Sequence, residues 1–365
     1  MSRLTVLAAA LLAACAGTNP ATTPAARSAG TKLYVVNQSG ASVSVIDQER
    51  LVVDTVLDLQ QMGFSANARP HHVAVEKDGS FWYVSLIGDG RVLKLDRMNH
   101  VVGQVRMETP GLLAIDPAHD TLYVGRSMTA PNPPKSLGVI KRSTFAMVDE
   151  QEIVISRPHA LVVSQDGRWA HAASLAENRI ASVDSKSGQV ALTTLPGAPR
   201  SMVQFTISPD GKHMIVGGEL SNSVIVFDLT TTPPFTPARE FAVGGKPWDP
   251  VFSPDGKHAY FSLFGDNAIA EIDYIAGTVT RRFTGGFAQP YDMIMRNDGK
   301  YLFVVNQNTG ATPRAGESAH AMMDHGTHGS ASSGWLSVVN VATGKVEKNL
   351  MLGAGPTGAG AAGAR

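Results

Sequence analysis

A cluster of thioether and imidazole side chains near the C-terminus is the segment of this sequence best suited to chemistry. His320, Met322, Met323, His325 and His328 fall within nine consecutive residues. Such soft and borderline donors together suit copper in an oxidising compartment. Because the chain has 11 histidines and 13 methionines in all, this local concentration predicts a metal site. The alternative interpretation is a glycine- and serine-rich loop that contains these residues without binding anything.

A turn that recurs at a fixed interval defines the elements that must position this segment. Asp-Gly pairs have their glycines at 79, 167, 211, 256 and 299, and Pro117-Ala118-His119-Asp120 occupies the one missing position. Each turn lies between two apolar runs rich in β-branched and aromatic residues, as strands do. A period of this length with four strands per repeat is typical of propeller blades. The sequence therefore predicts an all-β protein, a β-propeller.

The two ends of the chain predict how the propeller closes. The first unit, 32–59, has its second, third and fourth strands but no first strand, and Gly355-Pro356-Thr357-Gly358 resembles the start of such a strand. Pairing residues 355–362 with the N-terminal strands makes seven blades and leaves no open sheet edge. The other six units are predicted at about 69–107, 110–153, 157–195, 200–243, 246–286 and 289–352.

The first strand of each unit, strand A, lines the axial channel of a propeller. Aligning these strands on the Asp-Gly turn places two rings of side chains where they begin, at the end of the channel that we call the channel mouth. The first ring holds His71, Gly111, His159, Val203, Trp248, Tyr291 and Thr357, and the second holds His72, Leu112, Ala160, Gln204, Asp249, Asp292 and Gly358. His71, His72 and His159 are thus further candidate metal ligands, although polar residues in this place often bond only to loop backbone.

The Met/His cluster lies in an insertion that topology relates to the channel mouth. The connection between the second and third strands of the last blade runs over 307–334, whereas 264–267 suffices in the preceding blade. Strand A begins on the face to which the second strand returns, so this connection emerges on that same face. We therefore expect the insert to lie over the channel mouth, together with a smaller insertion at 127–134. Donors that converge on one face are what a metal site requires.

The strand and turn sequences resemble the YVTN-type seven-bladed β-propeller family of bacterial surface and periplasmic proteins. Leu33-Tyr34-Val35-Val36-Asn37 and Leu302-Phe303-Val304-Val305-Asn306 match its second strand, and Ser253-Pro254-Asp255-Gly256-Lys257 matches its turn. The resemblance covers nearly all of residues 32–365. It implies the fold but not an activity, because the family contains binding modules, surface-layer components and few characterised enzymes.

Relatives of this family that use metals supply weaker likenesses. They include the haem d1 domain of nitrite reductase and the propeller of nitrous oxide reductase. The His71-His72 pair, preceded by proline, resembles the histidine motifs around the copper cluster of the latter. Only His159 joins the pair at the channel mouth, so the full histidine ring of that cluster is missing. The Met-Asp-His-Gly stretch at 323–326 is similar to the Met/His-rich motifs of bacterial copper-handling proteins.

The N-terminus reads as an export and lipidation signal. Arg3 precedes an apolar run, and Leu12-Ala13-Ala14-Cys15 resembles the bacterial lipobox, in which the cysteine is lipidated. The alternative is an ordinary signal peptide with an unrelated cysteine. Residues 1–15 are thus the predicted signal and 16–31 a flexible tether to the membrane. Because Ala16 rather than Asp follows the cysteine, the periplasmic side of the outer membrane is expected in a Gram-negative cell.

Composition narrows the function classes. With 31 basic and 31 acidic residues the chain has no electrostatic case for nucleic acid. Neither a Gly-x-Ser-x-Gly elbow nor a phosphate-binding Gly-x-x-x-x-Gly-Lys loop occurs. The sequence therefore favours a lipid-anchored binding protein with copper as its cofactor over a catalyst. Two alternatives stay open: a metal-dependent enzyme at the channel mouth, redox or lactonase-like, and an interaction platform for a cell-envelope protein.

Overall fold

The computed structural model describes residues 32–127, 134–310 and 332–363, which fold into 28 β-strands. Blades 1 and 2 contain β1 (Lys32–Asn37), β2 (Ser42–Asp47), β3 (Val52–Asp58), β4 (Pro70–Val75), β5 (Phe81–Leu86), β6 (Arg91–Asp96) and β7 (Val101–Arg106). Blades 3 and 4 contain β8 (Pro110–Ile115), β9 (Thr121–Arg126), β10 (Ser136–Lys141), β11 (Ala146–Glu152), β12 (Pro158–Val163), β13 (Trp169–Ser174), β14 (Arg179–Asp184) and β15 (Val190–Thr194).

The remaining blades continue the same order. Blades 5 and 6 contain β16 (Met202–Ile207), β17 (His213–Gly218), β18 (Ser223–Asp228), β19 (Pro237–Ala242), β20 (Pro247–Phe252), β21 (Ala259–Leu263), β22 (Ala268–Asp273) and β23 (Thr278–Thr284). Blade 7 contains β24 (Pro290–Met295), β25 (Tyr301–Asn306), β26 (Ser333–Asn340) and β27 (Lys345–Ala354), and β28 (Pro356–Ala361) follows it. The blades form seven antiparallel sheets of four strands each, which confirms the predicted seven-bladed β-propeller.

The ring closes as the sequence predicts. β28 joins the N-terminal sheet, whose strand order is β28-β1-β2-β3, and pairs antiparallel with β1 through Leu33 with Ala361 and Val35 with Ala359. The glycines of β28 have a steric cause. A Cβ on Gly358 would lie 2.5 Å from the His71 carbonyl oxygen, and one on Gly360 would lie 2.8 Å from that of Val73. The closing strand is glycine-rich because β4 of the next blade packs against it so closely.

The Asp-Gly turns recur because each connects strand A to the next strand in the same way. In blade 5 the Gly211 N–H donates to the Ser208 carbonyl, and the Asp210 carboxylate accepts from the Lys212 N–H and the Ser208 hydroxyl. Gly211 has a φ of +75°, a conformation that costs glycine little. The five Asp-Gly turns share this positive φ at glycine, with values of 66°, 70°, 75°, 69° and 71°.

The hydrophobic core lies between neighbouring blades, where the faces of successive sheets pack together. Between blades 1 and 2, the buried Trp82 stacks on Tyr34 with ring centres 4.3 Å apart. The outermost strands, by contrast, are mostly exposed on their outer face, as in β3, β7 and β11. Stability therefore comes from blade-to-blade packing, so each blade depends on both of its neighbours.

Several sequence predictions concern residues that lie partly or wholly outside the described ranges. The connection between β25 and β26 runs over 307–332, two residues shorter than the predicted 307–334, because β26 already begins at Ser333. The predicted signal peptide, Cys15 and the tether lie outside the described residues, as do 128–133 of the smaller insertion. In the described part of the chain, no helix is long and apolar enough to span a membrane.

Candidate functional site

Each inner strand begins with the same backbone arrangement, which positions the channel mouth. The residue before the strand has a positive φ between 42° and 60°, and six of the seven strands then start with proline. The carbonyl of that residue accepts a hydrogen bond from the first residue after strand B, the second strand of the same blade. The carbonyl acceptors are Arg69, Thr109, Arg157, Ser201, Lys246, Gln289 and Gly355.

A β-bulge follows in all seven inner strands, at the positions of the two predicted rings. The strand register shifts between Pro70 and Val73 in β4, and at the matching residues of each other inner strand. A bulge twists a strand locally and redirects its side chains, and bulges are frequent next to functional sites. The two rings thus coincide with the irregular part of the strands.

A third ring at the channel mouth was missed from the sequence. It consists of the first residue after strand B in each blade, whose N–H makes the repeated hydrogen bond to the residue before the inner strand. All seven side chains are buried, and the Glu219 carboxylate among them lies 3.8 Å from the Lys246 ammonium. The sequence does contain a signal for this third ring, because its members occupy the same position in every repeat. The members are Gln38, Ile87, Ser127, Leu175, Glu219, Phe264 and Gln307.

The structure brings His71 and His159 together from blades 2 and 4. Their ring centres lie 6.3 Å apart, edge to face, and each residue is 3 % exposed. Blade 3 separates them, but it carries Gly111 at the same repeat position and so places no side chain there. Neighbouring imidazoles from strands 88 residues apart are therefore a product of the ring geometry.

The His159 imidazole is held in one orientation and kept neutral. Its Nδ1 lies 2.8 Å from the Val203 carbonyl oxygen and must donate to it, which puts the ring's lone pair on Nε2. Burial lowers the pKa of His159 to about 4, although the bond to Val203 acts in the opposite direction. At neutral pH no proton therefore competes for that lone pair, as metal binding requires.

His72 differs from these two histidines in its hydrogen bonding. The Leu113 N–H of the next blade donates to its Nδ1 over 3.2 Å, so the proton of the neutral ring is on Nε2. Burial, followed by the nearby His159, lowers the pKa of His72 to about 4. With one nitrogen accepting and the other protonated, His72 has no lone pair to offer a metal unless it gives up the bond to Leu113.

The acidic and aromatic residues of the rings lie on the other side of the channel mouth. Trp248 packs against Phe264 and Tyr291, with ring centres 5.1 Å apart in both pairs. Asp249 and Asp292 are buried, and their carboxylates accept backbone N–H groups of the next blade. Burial raises the pKa of both, that of Asp292 to about 6, and the Asp292 charge raises that of Asp249 further.

Both ends of the long insert are fixed at the channel mouth. The backbone N–H and the hydroxyl of Thr309 donate to the Gln289 side-chain oxygen over 2.6 and 2.8 Å. At the other end, the Ser332 carbonyl accepts from the Gly355 N–H over 3.3 Å. Gln289 directly precedes the inner strand with Tyr291 and Asp292, and Gly355 directly precedes β28. The insert thus leaves and re-enters the propeller on the face where the rings lie.

Clusters of His, Cys, Asp or Glu side chains usually hold the metal ions of proteins. Within 32–127, 134–310 and 332–363, no three His, Cys, Asp or Glu side chains are close enough to hold one ion. The predicted ligands His320, Met322, Met323, His325 and His328 all lie outside the described residues.

Comparisons with known proteins give one similar sequence and several similar folds. No family model matches the chain. Protein NirF of Pseudomonas aeruginosa is 28% identical over 118 residues, which are 30% of this chain. The match spans only 30% of the length of that relative.

Three solved structures have the same fold at low sequence identity. Hydrazine synthase of Kuenenia stuttgartiensis has a TM-score of 0.63 at 18% identity, covering 80% of this chain and 96% of the other. A protein of unknown function from Desulfotomaculum acetoxidans has a TM-score of 0.71 at 14% identity, covering 90% and 97%. The Cps50 (Swd1) propeller domain of Myceliophteria thermophila has a TM-score of 0.64 at 13% identity, covering 78% and 91%. These likenesses confirm the propeller fold expected from the YVTN-type resemblance.

Proposed function

We propose that this chain is an exported, lipid-anchored propeller that binds copper at the channel mouth, through His71, His159 and the Met/His insert. One observation carries the proposal: the two buried imidazoles lie 6.3 Å apart between ring centres. With metal–nitrogen bonds of about 2.0–2.1 Å, one ion held by two imidazoles separates their ring centres by about 5 Å at a tetrahedral angle and by about 6 Å in a near-linear arrangement, which the observed spacing matches. The pair therefore has the spacing for one shared ion.

The chemistry of the donors supports copper in particular. The Nδ1–H bond of His159 to a backbone carbonyl is the kind of support that fixes a ligand's orientation and raises its basicity. Two rigid imidazoles leave an ion short of ligands, and the thioethers of Met322 and Met323 with the imidazoles of His320, His325 and His328 would supply them. Thioether donors select copper(I) over harder ions. His72, with its nitrogens engaged as described, would position the inner strand instead.

The carboxylates of the channel mouth favour binding over a lactonase-like activity. A calcium-dependent hydrolase needs several carboxylate oxygens aimed at one ion. Here Asp249 and Asp292 direct oxygens to the N–H groups of Met293 and Ala359, and Glu219 pairs with Lys246. These carboxylate oxygens are already engaged in bonds within the protein. The imidazole side of the channel mouth is therefore the better candidate for a metal site.

Copper titration by calorimetry tests the proposal. The wild-type protein should bind one copper ion, and both His71→Ala/His159→Ala and His320→Ala/His325→Ala/His328→Ala should weaken binding at least tenfold. His119→Ala is the control, because His119 is 57 % exposed and bonds to Asp116 in a turn on the opposite face. Wild-type protein that binds no copper, or a His71/His159 variant that binds as tightly as wild type, would contradict the proposal.

The pH dependence of copper binding should separate the two sets of ligands. Histidines of the insert with an ordinary pKa near 6.5 take up protons below about pH 6. The pKa of His159 is lowered to about 4, so its nitrogen stays available well below that pH. Hence the free insert peptide 317–330 should lose copper between pH 6.5 and 5, while the whole protein retains it to a lower pH. Identical pH profiles for peptide and protein would show that the channel mouth contributes nothing.

Anchoring is tested separately. Cys15→Ser should move the protein from the membrane fraction to the soluble fraction, or stop its maturation, because no thiol remains to carry the lipid. Thr18→Ser, three residues further on, is the control and should stay with the membrane. Labelling with a fatty-acid analogue is the direct readout. Wild-type protein that is unlabelled and starts at another residue would disprove lipidation.

A further inference from the structure

A chain of carboxylate hydrogen bonds links the three inner strands at which the ring closes. The Met293 N–H on β24 donates to Asp249 Oδ2 on β20 over 2.7 Å. The Ala359 N–H on β28 donates to Asp292 Oδ2 on β24, also over 2.7 Å. The Met293 N–H also donates to Asp292 Oδ1 over 2.9 Å, so the two carboxyl groups meet at one donor. Two carboxylates this close repel each other, and one shared proton relieves the repulsion.

Other blades show that the fold does not require acids in this position. His72 makes the same contact to Leu113 of the next blade with a neutral ring. In three other blades the matching position has no side-chain acceptor for a backbone N–H of the next blade. The residues there are Leu112, Ala160 and Gly358. The pair of titratable side chains is therefore a feature of the contact between blades 6, 7 and 1, which we call the closing seam.

The surroundings of the pair disfavour a second negative charge. Tyr291, on β24, is buried, and burial followed by the two carboxylates raises its pKa. Glu219 is the other acid near this side of the channel mouth, and Lys246 is its ion-pair partner. β28 contributes no titratable side chain between Pro356 and Ala361. No cation among these described groups pairs with the carboxyls themselves, so the proton alone relieves their repulsion.

We propose that Asp249 and Asp292 form a shared-proton clip that holds the closing seam together and loosens it when the proton is released. The seam contains both β28 and the ends of the insert, because Gly355 directly before β28 bonds to Ser332. Release of the proton would thus weaken the strand that closes the ring and the place where the insert is attached. This inference concerns the apo protein and does not depend on copper binding.

The direction of the pH effect follows from the raised pKa values. A carboxyl with a raised folded-state pKa stabilises the fold at low pH, and this contribution is lost as pH rises through the folded value. For Asp292 that window runs from about pH 4 to somewhat above the folded value of about 6, and for Asp249 it extends higher. His72 and His159 act oppositely, because their lowered pKa values make the fold less stable in acid. The contribution of the clip is therefore obtained from the difference in unfolding free energy between wild type and a variant that lacks the two carboxyl groups.

The test compares unfolding of metal-free wild type with Asp249→Asn/Asp292→Asn across pH. The amide oxygens can still accept from Met293 and Ala359, but the pair no longer titrates. The unfolding constant of wild type should rise at least tenfold relative to the double variant between pH 5 and pH 9. Loss of the Asp292 proton at a pKa of about 6 alone accounts for tenfold, and loss of the shared proton at the higher pKa of Asp249 adds to it. Asp210→Asn, in an exposed turn, is the control and should not produce this relative rise. Parallel profiles for wild type and the double variant would overturn the proposal.

A spectroscopic readout covers the case in which the double variant does not fold. Folded wild type at pH 7 should show the infrared carbonyl band of one buried carboxylic acid, and Asp249→Asn should lack it. The asparagine oxygen can still accept from the Met293 N–H, so this single variant should keep its fold. Wild type without such a band at pH 7 would overturn the shared proton and with it the clip.

Discussion

Deletion of residues 354–365 is expected to leave the protein unfolded or aggregated at room temperature. The deletion removes β28, which pairs with β1 and packs against β4 and β24 on either side. Blade 1 would lose its inner strand, and the buried face of Leu33 and Val35 would lose Ala359 and Ala361. A propeller depends on closure to protect its edges, so the loss should be comparable to the whole free energy of unfolding, about 5–15 kcal/mol.

The control for this deletion removes only Ala364 and Arg365 and should unfold like the full-length protein. Thermal unfolding followed by circular dichroism measures both. A synthetic peptide of residues 354–365 added to the longer deletion should restore a cooperative transition, because it supplies the missing strand. A deletion of 354–365 with an unchanged melting temperature would show that the C-terminal strand does not close the ring in solution.

Replacement of Trp82 by alanine should cost about 3–5 kcal/mol of folding free energy. Trp82 is 1 % exposed and stacks on Tyr34 of the neighbouring blade, so its removal leaves a cavity between blades 1 and 2. Urea denaturation monitored by circular dichroism gives the free energy of unfolding. Trp82→Phe should recover part of the loss because a ring again fills the space.

Trp169 provides a matched control for Trp82. It is also at the start of a second strand, but it is only partly buried, and Arg168 lies over its ring at 5.2 Å. Trp169→Ala should therefore cost much less than Trp82→Ala. Equal losses for the two variants would contradict the conclusion that blade-to-blade packing carries the stability.

The proposals share one consequence for how this protein works. The imidazole pair of blades 2 and 4 and the carboxyl pair of blades 6 and 7 lie on opposite sides of the same channel mouth. The closing strand β28 lies between them, since Thr357 donates to the His71 carbonyl while Ala359 donates to Asp292. The closing seam is therefore hydrogen-bonded directly to the strand that carries His71. A displacement of β28 would be transmitted to that strand.

The repeat pattern in the sequence was enough to establish the architecture. The Asp-Gly turns recur because positive φ at glycine and the aspartate hydrogen bonds are local requirements of each strand connection, so they are visible in the residues themselves. The missing first strand of the N-terminal unit likewise predicted closure by residues near 355–362, and β28 occupies 356–361. The period also identified the two rings, because equivalent positions in a closed ring meet at one end of the channel.

The roles of the ring residues depended on tertiary contacts that the period does not encode. Whether His72 accepts from Leu113, and whether His159 donates to Val203, depends on bulges and on backbone groups 41 and 44 residues away. The closeness of His71 and His159 depends on Gly111 in the blade between them. A repeat specifies which residues share a level of the ring. The hydrogen bonds between blades, which set tautomers and protonation, exist only once the ring is closed.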